Sequence, residues 1–144
     1  MAVQEVPMGK YRWLDAMSVG IDEFDTDHGK FFATLYALDD ALMNEDRDKA
    51  LTLSDDLLAL MQDHMQREID YLRQYNYPGL NKILEAQTQS SAAVEKLHYL
   101  VRHDPQGAMH AIFDMQSSLM NYLLDGDTNY KGFVETHDKD GKRR

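Results

Sequence analysis

The sequence predicts an all-α fold, specifically an antiparallel up-down-up-down four-helix bundle with an N-terminal arm. Three features of the chain lead to this prediction. Only three prolines and eight glycines occur in 144 residues, so few positions interrupt a helix. The segments between them repeat apolar residues every three or four positions, which is the spacing of one helix face. No segment alternates apolar and polar residues over a useful length, so we expect no sheet.

The first helix is predicted over residues 21–42, because residues of its core-facing line recur strictly at intervals of three and four positions. We call such a line of residues a seam. The members of this seam are Ile21, Phe24, His28, Phe31, Leu35, Leu38 and Leu42. A polar break follows, in which Asp46 is placed to cap a second helix over residues 47–75. The stretch 76-NYPG-79 ends that helix, since proline and glycine both interrupt helices.

The third helix is predicted over residues 80–102 and the fourth over residues 106–125. Asp104 and Pro105 mark the start of the fourth helix, as a cap followed by a first-turn proline. All four predicted helices are of similar length and are joined by short breaks, which favours antiparallel packing of consecutive helices.

We expect one domain, since the chain is long enough to bury a sizeable core. Residues 1–20 are predicted to form an arm that packs on the bundle, and residues 21–133 to form the bundle itself. Residues 134–144 carry many charges and no apolar period, so this stretch is expected to be a flexible tail.

The composition excludes several classes of partner. A net charge of −10 argues against nucleic acid and against anionic membranes, because both attract basic surfaces. No apolar run approaches the roughly 18 residues of a membrane span, and the first residues lack the apolar core of a secretory signal. Cytoplasm is therefore the expected location. Without cysteine, a metal site would use histidine, carboxylate or tyrosine ligands.

Two seams carry polar residues that a bundle core does not need. His28 interrupts the first seam, and His64 and Glu68 stand one turn apart in the second. At a rise of about 1.5 Å per residue, antiparallel helices bring the two histidines within about 3 Å of one level. Asp127 follows the fourth seam at the same end of the bundle. Because an isolated buried carboxylate is costly, these four residues together predict a metal-binding layer.

A structural interpretation of the same residues stays open at this point. A lone histidine on an apolar helix face is usually a core residue whose hydrogen bonds are satisfied. If the helix phase differs by one residue, Glu68 would pair with Arg67 or Lys82 at the surface. The chain shows no nucleophile–base arrangement and no phosphate-binding loop, so no enzymatic activity is assigned.

The motifs around these residues resemble the haemerythrin family, in particular the bacterial haemerythrins. The run 13-WLDAMSVGIDEFDTDH-28 is similar to the opening of that family, and 64-HMQRE-68 matches its His-x-x-x-Glu motif. Tyr77-Pro78 matches the turn before the third helix, and 127-DTNYKGF-133 is similar to the closing Asp and Tyr. The resemblance covers residues 13–133, nearly the whole predicted domain.

This resemblance implies a di-iron site that binds dioxygen reversibly, held by five histidines and two bridging carboxylates. His28 and His64 match the two terminal histidines of one iron. Glu68 and Asp127 match the bridging carboxylates. We therefore expect these four side chains to form whatever metal site the chain possesses.

The sequence departs from the family pattern at every terminal ligand of the other iron. The three histidines expected there are replaced by Ile83, Gln87 and Tyr122. Reversible dioxygen binding in the family uses one electron from each of two irons. A chain that holds a single iron can supply only one electron, so the familiar oxygen-carrier function is not expected without change.

Three hypotheses follow from this pattern. The first is a mononuclear site in which two imidazoles and two carboxylates hold one divalent ion, with open positions for a small ligand. The second is a remodelled di-iron site, in which Tyr122 supplies a phenolate and Gln87 an amide oxygen. The third is a metal-free bundle that serves as a protein-interaction module, with Ile83 and Tyr122 filling the vacated volume.

We favour the first hypothesis, a haemerythrin-like metal-binding protein with a mononuclear site formed by His28, His64, Glu68 and Asp127. One iron ion is the expected cofactor, with manganese or zinc as alternatives. Its expected ligand is a small diatomic molecule such as dioxygen or nitric oxide, bound for sensing or storage. The sequence specifies no protein partner.

Overall fold

The computed structural model describes residues 14–125, 130–137 and 142–144, and 84% of these residues are helical. Four long helices dominate: α1 (Asp22–Met43), α2 (Arg47–Gln74), α3 (Leu80–His103) and α4 (Pro105–Leu124). A short 3₁₀ helix (Asp15–Met17) precedes them, and a short helix α5 (Lys131–Thr136) follows. No strand occurs in the described part of the chain, which confirms the all-α prediction.

The predicted signals for helix starts are confirmed. The Asp46 side chain caps α2 by accepting a hydrogen bond from the backbone N–H of Lys49, at 3.3 Å. Asp104 caps α4 by accepting from the backbone N–H of Gly107, at 3.1 Å, and Pro105 opens the first turn. These side chains satisfy backbone donors that have no partner inside the helix, so residues close in sequence determine where α2 and α4 begin.

Each long helix packs against the next, and α4 also contacts α1, so the four helices form a bundle. The predicted seam of α1 faces the interior, and every member of it is buried. Its three-and-four spacing therefore identified the core face of this helix. No described helix has an apolar stretch of sufficient length to cross a lipid bilayer.

The apolar core consists of two clusters. The first contains the 3₁₀ segment and parts of all four long helices and α5; its fully or nearly buried members include Met17, Val19, Phe24, Leu72, Ile83, Leu123 and Val134. The second joins other parts of the same four helices, including Leu42, Ala50, Leu57, Val101, Ala108 and Ile112. Buried polar side chains separate the two clusters along α1 and α2.

The ends of the chain contribute to the first cluster. Met17 and Val19 are buried there, so the described part of the N-terminal segment packs on the helices. Val134 in α5 is also buried in this cluster. Contact with the bundle thus extends into the stretch 134–144, for which a tail was predicted; residues 138–141 of that stretch lie outside the described residues.

Candidate metal centre

Three of the four predicted ligands meet between the two apolar clusters; we call His28, His64 and Glu68 the triad. Each offers a ligand atom within 4.8 Å of the others. The Nε2 atoms of the two histidines lie 3.2 Å apart, and His64 Nε2 lies 3.8 Å from Glu68 Oε2. Atoms bound to one ion at about 2.1 Å stand about 3.0–3.4 Å apart, so small side-chain shifts would suffice. The exposed fraction of each residue is 4% or less.

The helix geometry explains this convergence. His64 and Glu68 are four residues apart on α2, which places both on the buried face of the helix. His28 faces them from α1, which packs directly against α2. Phe24 and Phe31 lie one turn to either side of His28, and their ring centroids stand 5.3 Å and 5.6 Å from the His64 ring. The aromatic rings shield the imidazole from solvent and restrict its orientation.

Asp27 orients His64 from the side opposite the triad. The Nδ1 atom of His64 lies 2.9 Å from Asp27 Oδ2, while its Nε2 atom faces His28. An ionised carboxylate can only accept, so Nδ1 of His64 carries a proton and donates to Asp27, and the neutral tautomer then has its lone pair on Nε2. In metal-binding histidines, the ring nitrogen that does not bind the metal usually donates a hydrogen bond to a carboxylate or another acceptor.

Arg67 holds Asp27 in place. Its Nη2 donates to Asp27 Oδ2 at 2.6 Å, and its other nitrogens donate to Glu23 and Asp63. Arg67 therefore does not pair with Glu68, and Glu68 points into the core instead of the surface. The alternative helix phase considered from the sequence is thus wrong.

His28 carries a buried nitrogen with no hydrogen-bond partner. Because His64 Nε2 bears the lone pair, the His28 Nε2–H donates to it, which leaves the His28 Nδ1 atom without a partner in the described structure. Burial lowers the pKa of His28 well below its usual value, and the neighbouring His64 adds to this shift. His28 is therefore a neutral imidazole, and it would bind an ion through Nε2 in the tautomer that carries its proton on Nδ1.

Two donors from other parts of the chain fix Glu68. Gln87 Nε2 on α3 donates to Glu68 Oε1 at 2.9 Å, and the Tyr130 hydroxyl donates to Glu68 Oε2 at 2.6 Å. Burial, and then the nearby Glu68 carboxylate, raises the pKa of Tyr130 well above its usual value, so the hydroxyl remains protonated. Both carboxylate oxygens of Glu68 are thus held by protein donors.

The other residues that the sequence analysis considered at the site are Asp127, Ile83 and Tyr122. Asp127 lies outside the described residues, so its role as a ligand stays a prediction. Ile83 is fully buried in the first apolar cluster, where it offers no ligand atom. Tyr122 lines a cavity beside the triad, and burial raises the pKa of its hydroxyl well above the usual value, with Glu68 contributing. The phenolate of the remodelled di-iron hypothesis stays a prediction, because a bound metal ion would itself lower this pKa.

The cavity beside the triad has a volume of about 400 Å³. His28, His64 and Glu68 line one part of it, together with Gln87 and Tyr122. Exposed residues of α3 and α4 line another part, including Ser90, Ala93, Lys96 and Asp114. The triad is therefore accessible from solvent through a gap between α3 and α4.

A scan against models of known protein families finds none that matches this chain, and a search of the curated proteins also finds no match. The functional interpretation therefore depends on the geometry of the described residues. That geometry contains three features that the sequence did not assign: the Asp27–His64 hydrogen bond, the Tyr130–Glu68 hydrogen bond and the cavity.

The Asp27–His64 hydrogen bond is directly testable. We expect Asp27→Asn to weaken zinc binding by about 10–100-fold, because carboxylates that bond to ligating histidines contribute affinity of that order. Titration calorimetry with zinc measures the effect. Asp63→Asn is the matched control, since it removes another carboxylate bonded to Arg67 without touching His64. Equal losses in the two variants would show that charge near Arg67, and not the bond to His64, sets the affinity.

Proposed function

We propose that this protein is a haemerythrin-like bundle that binds one divalent metal ion through His28, His64 and Glu68. The observation that carries the proposal is the orientation of His64. Its Nδ1 atom bonds to Asp27, while its Nε2 atom faces the other two candidate ligands. The residues present fit an ion, because the donor set is two neutral imidazoles and one carboxylate. Asp127 is the predicted fourth ligand.

The proposal includes antiparallel up-down-up-down topology, which the membership of the apolar clusters supports. The first cluster combines residues near the start of α1 and α3 with residues near the end of α2 and α4, such as Phe24, Ile83, Leu72 and Leu123. The second cluster combines the opposite ends of the same helices. Consecutive helices that run in opposite directions account for both sets of contacts.

A single ion fits the surroundings of Glu68 better than a pair of ions. A bridging carboxylate would direct one oxygen to each metal, whereas here Oε1 accepts from the amide of Gln87. Ile83 occupies a fully buried position in an apolar cluster and cannot ligate. These contacts support the loss of the second metal position and the retention of the first.

Iron(II) is the proposed metal, and manganese or zinc would suit the same nitrogen and oxygen ligands. Three or four protein ligands leave coordination positions open on such an ion. A small diatomic molecule such as dioxygen or nitric oxide would then bind at the ion, for sensing or storage in the cytoplasm. The cavity beside the triad supplies the route of access.

A metal-free interaction module is the rival function, and one observation favours it. The polar atoms around Glu68 and His64 are already satisfied by Gln87, Tyr130 and Asp27. Buried polar groups that bond to one another can persist in a core without an ion. The His28 Nδ1 atom has no partner in the described structure under either function, because the metal-binding function uses the Nε2 atom.

Metal content separates these functions. We expect elemental analysis of protein expressed with iron, and of protein reconstituted with zinc, to give about one equivalent per chain. About two equivalents would support the remodelled di-iron site instead. If careful reconstitution with iron, manganese and zinc leaves the protein metal-free, both metal-binding hypotheses fail and the interaction module remains.

A further inference from the structure

The cavity beside the triad is far larger than a diatomic ligand requires. Its volume of about 400 Å³ corresponds to roughly thirteen waters, at about 30 Å³ each. Pockets of about 300–1,000 Å³ typically hold organic molecules. A diatomic molecule would fill only a small part of this space, so the cavity fits an organic ligand.

Most of the cavity wall is apolar. The lining side chains include Phe31, Leu35, Met61, Met65, Val94, Met115 and Leu119, from all four long helices. Three of these are methionines, whose flexible side chains adapt to ligands of irregular shape. Such walls favour a hydrocarbon chain over a polar molecule, because burial of apolar surface stabilises the complex.

The open space arises from small side chains on α3 and α4. Ala86, Ser90 and Ala93 line the cavity from α3, and Ala111 and Ser118 line it from α4. Larger residues at these positions would fill the space between the helices. The open space therefore lies where small side chains of α3 and α4 line the cavity from both sides.

The triad contributes two imidazoles and a carboxylate to one part of a mostly apolar cavity wall. A divalent ion held by two neutral imidazoles and Glu68 keeps a net positive charge. An anionic oxygen is the head group that matches such an ion, because carboxylates are common ligands of iron, manganese and zinc.

We propose that the cavity binds an apolar monocarboxylate, with its chain between α3 and α4 and its carboxylate on the metal ion at the triad. This inference rests on the proposed metal-binding function, and it assigns to the cavity an organic ligand that is larger than the diatomic molecule proposed above. A chain of about ten carbons fits the volume.

The test is a calorimetric titration of zinc-loaded protein with decanoate, which measures the binding affinity. Decanoate is expected to bind at least about tenfold more tightly than acetate, which has the same head without the chain. Removing zinc is expected to weaken decanoate binding by at least about tenfold. Zinc binding itself is measured first and separately, by titration of the metal-free protein.

A matched pair of variants on α3 tests the position of the chain. Ala93 and Ala92 are adjacent and exposed, but Ala93 lines the cavity while Ala92 lines a separate groove beside α2. Ala93→Trp should weaken decanoate binding at least about tenfold, and Ala92→Trp should change it by no more than about twofold. Both variants should bind zinc as the wild type does.

The possible failures are distinguishable. If zinc binds but decanoate binds no better than acetate, the ligand inference is overturned and the metal site stands. If decanoate binds equally well with and without zinc, the carboxylate does not lie on the ion and the inference is wrong. If the wild type does not bind zinc, the proposed metal function fails, and the inference fails with it.

Discussion

His64→Ala is expected to abolish metal binding. The substitution removes the imidazole whose Nε2 lies near both His28 and Glu68, and it leaves Asp27 without a bonded histidine. Loss of a hydrogen-bond partner of a ligating histidine costs about 10–100-fold in metal affinity, so loss of the ligand itself should cost at least about a hundredfold. Zinc titration and elemental analysis of the iron-expressed protein measure the effect.

Two controls accompany this experiment. His110→Ala removes an exposed histidine of α4 and should leave metal content unchanged, which accounts for adventitious binding at surface imidazoles. His64→Gln keeps a polar side chain of similar length, so it preserves more of the packing if the alanine variant unfolds. Unchanged metal content in a folded His64 variant would contradict the proposed site.

The combined substitution Ile83→His, Gln87→His and Tyr122→His is expected to create a second metal position. The change removes the Gln87 amide from Glu68 Oε1, which frees that oxygen for a second ion. Zinc content should rise from about one to about two equivalents per chain. Thermal denaturation should show a strongly metal-dependent stability, because each polar group buried without a partner costs on the order of 1–3 kcal/mol.

The matched control for this variant is Ile83→Leu, Gln87→Met and Tyr122→Phe, which alters the same positions without adding ligands. It should retain about one equivalent of metal, weakened by the loss of the Gln87 contact to Glu68. If the histidine variant folds but takes up no additional metal, the correspondence of α3 and α4 to the family pattern is wrong. The single-ion site would be unaffected by that outcome.

The helices and much of the core could be predicted from the sequence because their signals are local. The three-and-four spacing from Ile21 to Leu42 selects one helix face, and that face is buried in the structure. Asp46 and Asp104 act within a few residues of their own positions, so their capping roles are also visible in the sequence. The triad was predictable because buried polar residues at matched depth are unusual.

The hydrogen bonds that hold the triad in place, and the cavity beside it, could not be predicted from the sequence in the same way. Asp27 and Arg67 are charged residues on helices, and such residues usually face solvent; only the packing of α1 on α2 shows that they meet. Tyr130 follows α4, and its bond to Glu68 depends on how the chain returns to the bundle. The cavity depends on the distance between α3 and α4, which residue spacing does not determine.

The separation of the core into two apolar clusters has a consequence for cooperativity. Each cluster gathers segments from all four long helices, so each can act as a unit of local unfolding with its own opening free energy. The triad lies at the boundary between these units. An ion bound there would add its binding free energy to both neighbouring units at once, and it would make them open and close together.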